Sequence, residues 1–174
     1  MREIEVKILD VDRVAIEKKL RSLGAKKLFD HRIDFRYFDF SDGRLRKKGT
    51  VLRLRKNGDR GELTVKSDLR QTKNAKTANE IETEVDFDST RRILLALGYE
   101  ERSKTVKRRI EYVLGRVHFE IDKLPGIPWL LEIEAPTIKA LKETVALLGY
   151  KQSDARPWWW KDVLAHYKKK GAIA

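Results

Sequence analysis

Apolar and polar side chains alternate along most of this chain, with the period of two that β-strands show. The alternation predicts strands at residues 2–9, 34–40, 50–56, 62–66, 80–87, 104–114, 116–124 and 129–135. Short turns such as 57–61 and 114–116 join several of them and are typical of hairpins. The pattern therefore predicts about eight strands, most of them antiparallel to a neighbour in sequence.

Three predicted helices interrupt the strands, and each ends at a Leu-Gly pair. Asp12 is expected to cap the first, which runs to about Ser22. Its apolar contacts are expected to be Val14, Leu20 and Leu23. The second helix is predicted from 88–90 to Gly98, and the third from 136–137 to Gly149.

Two polar segments lack a clear apolar period. Residues 67–79 are rich in lysine and predict a mobile loop, of the kind that often serves as a lid or a binding loop. The C-terminal tail contains Trp158-Trp159-Trp160, where a short helix is expected, and the basic run Lys168-Lys169-Lys170.

Almost every predicted strand carries charge on one face. In three strands two glutamates stand one residue apart: Glu3 and Glu5, Glu82 and Glu84, and Glu132 and Glu134. Side chains at i and i+2 of a strand point to the same face, so each pair presents two carboxylates side by side. Clustered carboxylates repel one another unless a cation lies among them, and the candidates are a divalent metal and the chain's own Lys and Arg.

The charged faces fit two architectures. An open sheet could pack its apolar face under the helices and leave the charged face in water. Alternatively, the sheet could close into a barrel with the charges inside and the helices covering its apolar outside. The alternation alone leaves both open.

Composition favours an anionic partner. The 174 residues are expected to form a single domain, residues 1–174, which includes the tail at about 151–174. Charged residues make up 38% of the chain and the net charge is +12, which is typical of proteins that bind phosphates, nucleotides or nucleic acid. A solvated, lysine-rich surface explains the same excess.

Several classes of protein are excluded or not expected. The absence of cysteine excludes disulfides and thiolate metal sites. The N-terminus lacks the apolar segment of a signal peptide, and no apolar run approaches the roughly 20 residues that span a bilayer. A cytoplasmic protein with no membrane partner is expected. The sequence leaves a monomer and a homodimer open.

A ligand that needs basic groups on one side and carboxylate-bound metal on the other is a polyphosphate with Mg²⁺ or Mn²⁺. Mg²⁺ binds one or two carboxylates together with phosphate oxygens, and Arg suits bidentate phosphate contacts. Phosphoryl transfer depends mainly on positioning and charge neutralisation. The chain has no Gly-rich phosphate loop, and its three histidines are scattered, which argues against zinc.

An ordered set of motifs resembles the CYTH superfamily, also called the triphosphate tunnel metalloenzymes. The motifs are Glu3-x-Glu5-x-Lys7, Asp34-x-x-Tyr37-Phe38, Leu52-Arg53-Leu54-Arg55, Leu63-Thr64-Val65-Lys66, Glu80-x-Glu82-x-Glu84, Lys107-x-Arg109-x-x-Tyr112, Ile121-Asp122 and Leu131-Glu132-Ile133-Glu134. They cover residues 1–150. The resemblance implies an α+β fold: a closed, eight-stranded antiparallel barrel with a charged interior and helices packed outside.

The resemblance also implies roles for individual residues. The implied metal ligands are Glu3, Glu5, Glu120, Asp122, Glu132 and Glu134. The implied triphosphate-binding residues are Lys7, Arg53, Arg55, Lys66, Lys107 and Arg109. The implied catalytic residues are Lys7, Glu5 and Glu134. Glu82 and Glu84 would orient basic residues or help to bind a second metal, or else serve as internal salt-bridge partners.

The resemblance implies a metal-dependent enzyme acting on a triphosphate and leaves its reaction open. Hydrolysis of inorganic tripolyphosphate, a nucleoside triphosphate or thiamine triphosphate is favoured, because no motif for reading adenine stands out. Residues 121–134 are similar to the class IV adenylyl cyclase branch, although Ile127-Pro128 stands where that branch has Leu-Gly, which keeps cyclic AMP formation as an alternative.

A third alternative is a non-catalytic module that binds nucleotide or RNA. Lys47, Lys48, Lys73, Lys76 and the 168–170 run could form a surface for a nucleic-acid backbone, although solubilising lysines explain them as well. The tryptophans at 158–160 are expected to pack against one end of the barrel, or alternatively to stack on a base.

Overall fold

Eight strands form a closed antiparallel barrel. The computed structural model describes residues 2–171, and their side chains from residue 4 onward. The strands are β1 (Arg2–Ile8), β2 (Lys26–Asp39), β3 (Val51–Asn57), β4 (Arg60–Gln71), β5 (Lys76–Val85), β6 (Glu100–Leu114), β7 (Val117–Lys123) and β8 (Leu130–Glu134). Their order around the barrel is β1-β5-β4-β3-β2-β6-β7-β8, and β8 pairs with β1. Of the two architectures that the alternation allowed, the closed barrel is confirmed.

The described part of the chain also contains helices α1 (Arg13–Ser22), α2 (Arg44–Lys47), α3 (Phe87–Ala96), α4 (Ile138–Leu147) and α5 (Trp160–Lys169). Asp12 caps α1 as expected, since its carboxylate accepts hydrogen bonds from the backbone of Val14 and Ala15. Thr137 caps α4 in the same way. The prediction that Val14 is an apolar packing contact of α1 is wrong, because that side chain is 61% exposed and faces away from the core.

Residues 67–79 are mostly strand, so the predicted mobile loop is wrong. β4 continues to Gln71, and β5 begins at Lys76. Only the turn at 72–75 separates them, and the backbone N–H and the hydroxyl of Thr72 both donate to the carbonyl of Ala75 at 2.9 Å. The C-terminal helix also differs, since it begins at Trp160 and runs to Lys169.

Two compact units can be recognised within the chain. The long segments of the first unit are His31–Leu69 and Ala78–Lys107. The second unit comprises Glu3–Asp30, Arg70–Thr77 and the chain from Arg108 on. The expectation of a single domain stays a prediction.

In the second unit the apolar strand faces pack under helices. Alternate residues of the strands join residues of α1 and α4 in one hydrophobic core: Val6, Ile8, Ile110, Tyr112, Phe119, Ile121, Leu131 and Ile133 with Ile16, Leu20, Leu141 and Val145. Residues between them point the other way, and Glu5, Lys7, Arg109, Asp122 and Glu132 are buried there. The charges of these strands therefore line the inside of the barrel, and the helices cover its outside.

The first unit has a smaller core. Phe38, Leu52, Leu54 and Leu94 are buried together, and Leu94 belongs to α3. In the part of the chain that the structure describes, no helix combines the length and the apolar character needed to cross a membrane.

Candidate metal and phosphate site

Three carboxylates of the second unit lie close enough to share one cation. One oxygen from each of Glu120, Asp122 and Glu132 lies within 4.8 Å of the other two. Glu120 and Asp122 are alternate residues of β7, and Glu132 is directly opposite Glu120 on β8. Strand period and register together therefore bring the three side chains to one inward-facing place.

Arg109 neutralises two members of this cluster. Its guanidinium donates two hydrogen bonds to Asp122, at 2.8 and 2.9 Å, and forms an ion pair with Glu120. Burial alone would lower the pKa of Arg109, but the two carboxylates outweigh it and raise that pKa. Arg109 therefore stays charged, and it holds Asp122 in a fixed orientation.

Lys7 extends the cluster across the β1–β8 pair. It lies directly opposite Glu132 in the register, and its ammonium is 2.7 Å from Glu132 and 3.0 Å from Glu5. Its side chain is fully buried. Lys7 thus places a positive charge beside Glu5 and Glu132 and offsets part of the repulsion between the carboxylates of this face.

Lys76 is a further member that the sequence analysis did not place here. Its ammonium forms an ion pair with Glu5 and lies 3.6 Å from Glu132. The residue is buried at the start of β5, so its assignment to a surface lysine patch is wrong. Lys47, Lys48 and Lys73 are exposed, as that assignment expected.

The tryptophans before and at the start of α5 cover the two lysines. The ammonium of Lys76 lies 4.6 Å from the ring centre of Trp159, and that of Lys7 lies 5.4 Å from the ring of Trp160. Trp158 packs against a separate apolar cluster that includes Leu124. Trp159 and Trp160 therefore contact cations of the charged cluster, and their expected packing at one end of the barrel stays a prediction.

The remaining predicted metal ligands lie on β1 and β8. Glu134 is partly buried and lies opposite Glu5 in the register, so both occupy the face that carries Lys7 and Glu132. Glu3 belongs to β1, but its side chain lies outside the described residues.

A second charged cluster lies in the first unit, around Arg53. Its guanidinium is 3.2 Å from Glu80 and 3.3 Å from Glu82, and it donates to the hydroxyl of Thr64 at 3.1 Å. Thr64 in turn donates to Glu82 at 2.8 Å. The Nε of Arg53 is buried, and no acceptor for it lies among the residues that the structure describes.

Arg55 and Lys66 belong to the same cluster. Arg55 pairs with Glu62 and lies 3.4 Å from Glu82, while Lys66 lies 3.3 Å from Glu80. Glu82 is therefore an internal partner of basic residues, one of the roles expected for it. Glu84 is instead mostly exposed, and its carboxylate is 3.9 Å from Arg60.

Lys107 is the remaining basic residue that was predicted to bind phosphate. It is buried on β6, and its ammonium lies 4.8 Å from the ring centre of Phe35. The guanidinium of Arg53 lies 5.6 Å from the same ring. Phe35 thus contacts two cations of the first unit, an aromatic role that no motif indicated.

The donor set of the second unit fits a divalent cation. Carboxylate oxygens are the ligands that Mg²⁺ prefers, and they also suit Mn²⁺. Each of the three clustered carboxylates already faces a positive side chain of the protein. Glu120, Asp122 and Glu132 could hold such an ion, and Glu5 and Glu134 are near them in the strand register.

Comparison with known families identifies this architecture. The family model of the CYTH domain matches residues 1–153. The chain belongs to the CYTH family. The resemblance inferred from the ordered motifs is therefore confirmed.

Solved structures show the CYTH fold in proteins from several organisms. The PH1012 protein of Pyrococcus horikoshii is 29% identical, with a TM-score of 0.74 over 91% of this chain and 96% of that one. A candidate adenylate cyclase from Vibrio parahaemolyticus is 19% identical, with a TM-score of 0.83 over 94% of this chain and 97% of that one.

A more distant structure is a candidate adenylyl cyclase from Hippeastrum, for which a dominant triphosphatase activity is described. It is 18% identical, with a TM-score of 0.64 over 83% of this chain and 84% of that one. No curated protein sequence matches this CYTH chain.

Proposed function

We propose that this CYTH protein is a divalent-metal-dependent enzyme that hydrolyses a triphosphate. The observation that carries the proposal is the set of Glu120, Asp122 and Glu132, of which the last two are buried and the first partly buried, and whose oxygens lie within 4.8 Å of one another beside Lys7 and Arg109. Charged groups are rarely buried without a functional or structural reason, because each loses its hydration. A metal and a phosphate chain supply the charges that such a set can bind.

The carboxylates are proposed as metal ligands: Glu3, Glu5, Glu120, Asp122, Glu132 and Glu134. When bound, the cation would neutralise phosphate charge and assist attack by water. The basic residues are proposed to hold the phosphates: Lys7, Arg53, Arg55, Lys66, Lys107 and Arg109. The buried Nε of Arg53 supports this role, because it is a donor available to an anion.

Lys7, Glu5 and Glu134 are proposed to act at the reacting phosphorus. Lys7 is fully buried, so its charge is weakly screened and would stabilise negative charge that develops on phosphate oxygens. Glu5 and Glu134 lie opposite each other on the same strand pair and are suited to accept protons or hydrogen bonds from a water molecule.

The proposed substrates are inorganic tripolyphosphate, a nucleoside triphosphate or thiamine triphosphate. Hydrolysis requires recognition of the phosphates and the metal alone, and those are the groups for which the clusters provide charge. The activity described for the Hippeastrum protein is compatible with this choice. A cytoplasmic location would supply such substrates together with Mg²⁺.

A class IV adenylyl cyclase is the second candidate. The segment from Asp122 through Gly126 to Glu134 favours it, as does the likeness to the Vibrio protein. In that reaction the 3′-hydroxyl of ATP attacks the α-phosphorus and pyrophosphate leaves. The same charged residues could serve both reactions.

Phosphorus NMR separates these candidates. The purified protein is incubated with Mg²⁺ or Mn²⁺ and either ATP or inorganic tripolyphosphate. Orthophosphate is the expected product, and the faster substrate shows whether the nucleoside contributes. Pyrophosphate with cyclic AMP would establish the cyclase instead. No product from either substrate, or from thiamine triphosphate, would contradict an enzyme and favour a nucleotide-binding or RNA-binding role.

A further inference from the structure

Lys76 is a buried cation in contact with two of the proposed metal ligands. It pairs with Glu5, lies 3.6 Å from Glu132, and has its ammonium against Trp159. We propose that Lys76 is an internal counter-ion that occupies these carboxylates in the metal-free protein and competes with the divalent metal for them. The inference rests on the proposed function, because it concerns the affinity of the same site.

Two lysines contact Glu5 and Glu132, but they are held differently. Lys7 lies within β1, opposite Glu132, and its backbone N–H and carbonyl both bond to Arg156 at 2.8 Å. Lys76 is the first residue of β5 and follows the turn at 72–75 directly. A long side chain at a strand end can change its position with little effect on the strand ladder, so Lys76 is the lysine suited to withdraw.

The indole ring of Trp159 stabilises the observed position of the Lys76 ammonium. A cation within about 6 Å of an indole ring is attracted by the ring, and burial strengthens the attraction. The ammonium of Lys76 therefore has a carboxylate pair on one side and an aromatic ring on the other. Both contacts would have to weaken when a metal takes the oxygens.

Competition follows from charge. A carboxylate oxygen that faces an ammonium presents less negative charge to a metal, and two cations at the same oxygens repel each other. Lys76 thus lowers the metal affinity of the site while stabilising its carboxylates in the absence of metal.

The test is Mn²⁺ binding, measured by the electron paramagnetic resonance signal of free Mn²⁺ in the absence of any substrate. Lys76→Met removes the charge and keeps an unbranched chain, and it is expected to bind Mn²⁺ about tenfold more tightly than wild type, equivalent to about 1.4 kcal/mol. Lys76→Arg keeps the charge and is expected to bind as wild type does. Lys73→Met is the matched control, because Lys73 is exposed in the adjoining turn.

The outcomes separate this inference from the proposed function. If Lys76→Met binds Mn²⁺ no more tightly than wild type does, the proposed competition is overturned. If wild type binds Mn²⁺ in that experiment, the proposed metal-dependent function still stands. Binding by the variant alone supports the competition and contradicts a metal-dependent wild-type enzyme. An absence of binding in both proteins overturns both ideas.

A second variant covers the case in which Lys76→Met does not fold. Trp159→Leu removes the ring but no charge, so it loosens Lys76 without leaving the carboxylates unneutralised. Its dissociation constant for Mn²⁺ is expected to fall about twofold to threefold, a smaller change than the tenfold expected for Lys76→Met. Unchanged binding in a folded Trp159→Leu protein would overturn the role given to the ring and to Lys76.

Discussion

Glu120 and Asp122 share the guanidinium of Arg109 but differ in their surroundings. Asp122 is almost completely buried and receives two hydrogen bonds, whereas the side chain of Glu120 is 18% exposed. Removing one partner of a buried ion pair lowers the free energy of unfolding far more than removing one partner of a partly solvated pair. In the buried pair the remaining charge cannot regain its hydration. The two residues therefore allow structural and ligand roles to be separated.

Glu120→Gln is expected to weaken Mn²⁺ binding about tenfold while lowering the free energy of unfolding by about 1 kcal/mol or less. Asp122 still neutralises Arg109 in this variant. Asp122→Asn, the comparison variant, is expected to cost about 3–5 kcal/mol. Urea unfolding gives the stabilities and Mn²⁺ titration gives the affinities. Equal stability losses in the two variants would contradict this division of roles.

Arg53→Met is expected to weaken tripolyphosphate binding by about 1.5–3 kcal/mol, the usual contribution of hydrogen bonds to charged groups. Inorganic phosphate should lose less, because it meets fewer of the basic residues. Isothermal titration calorimetry measures both ligands. Arg60→Met serves as the control, since Arg60 is 73% exposed in the hairpin before Glu62. Equal losses for the two ligands would argue against binding of an extended phosphate chain.

The residues of the candidate site differ in how far the sequence reveals them. Glu5, Lys7 and Glu132 stand in strands with a clear apolar face, so the period of two predicts their common direction. Lys76 follows a polar segment, and its partners are distant in the chain. Its burial depends on ion pairs and a tryptophan ring that only the folded chain brings together.

The hairpin of β4 and β5 is the element in which the local pattern is least informative. A strand is recognised when one of its faces is apolar and covered. Between residues 67 and 79, positions 70–74 are exposed, and the buried side chains are those of Ala75, Lys76, Thr77 and Ala78, none of which is a large apolar group. Without a buried apolar face the segment looks like a loop, although its backbone is paired within the barrel.

Hydrogen exchange tests whether the 67–79 segment is strand or lid. Backbone amides within 67–71 and 76–79 are expected to exchange slowly, because they belong to paired strands, and the turn at 72–75 should exchange faster. Peptide-resolved deuterium uptake measures the difference. Fast uptake across all of 67–79 would restore the interpretation as a mobile loop.

The start of β4 also depends on a close backbone approach. A Cβ added at Gly61 would lie 2.5 Å from the carbonyl oxygen of Val85 and 2.8 Å from the backbone nitrogen of Phe87. Gly61→Ala is therefore expected to lower the free energy of unfolding by about 1–3 kcal/mol, the usual cost of overpacking. Denaturant unfolding measures it, with exposed Asp59→Ala as the control. An unchanged stability would mean that the two segments separate easily.

At the scale of the whole molecule, the net charge of +12 conceals an interior in which buried carboxylates are paired with buried cations. Glu5, Asp122 and Glu132 are buried, while Lys47, Lys48 and the 168–170 run are exposed. Folding thus collects carboxylates that the unfolded chain keeps apart in water. A cation that binds these carboxylates only in the folded state will stabilise the folded state.

Saturating Mn²⁺ is accordingly expected to raise the melting temperature, with a gain of about 2.7 kcal/mol at a hundredfold excess over the dissociation constant. Differential scanning calorimetry with and without the metal measures the gain, and a chelator should reverse it. Glu120→Gln should respond less than wild type. An identical response in that variant would place the metal elsewhere.

The closed barrel is a property that local patterns cannot determine. Closure requires β1 to pair with β8, and the two strands are more than a hundred residues apart in the chain. Alternation predicts the faces of each strand but leaves open whether the charged faces meet inside. The family resemblance supplied that information, because its motifs mark inward residues on several strands at once.

The backbone hydrogen bonds between Lys7 and Arg156 limit how far the C-terminus of this protein can be truncated. The family match ends at residue 153, yet Arg156 and Trp159 beyond it contact the inner lysines. A protein trimmed to the matched segment would expose the amide and carbonyl of Lys7 on one side and lose the indole against Lys76. The hydrogen bonds and ring contacts of the second unit therefore extend beyond the boundary that the family match sets.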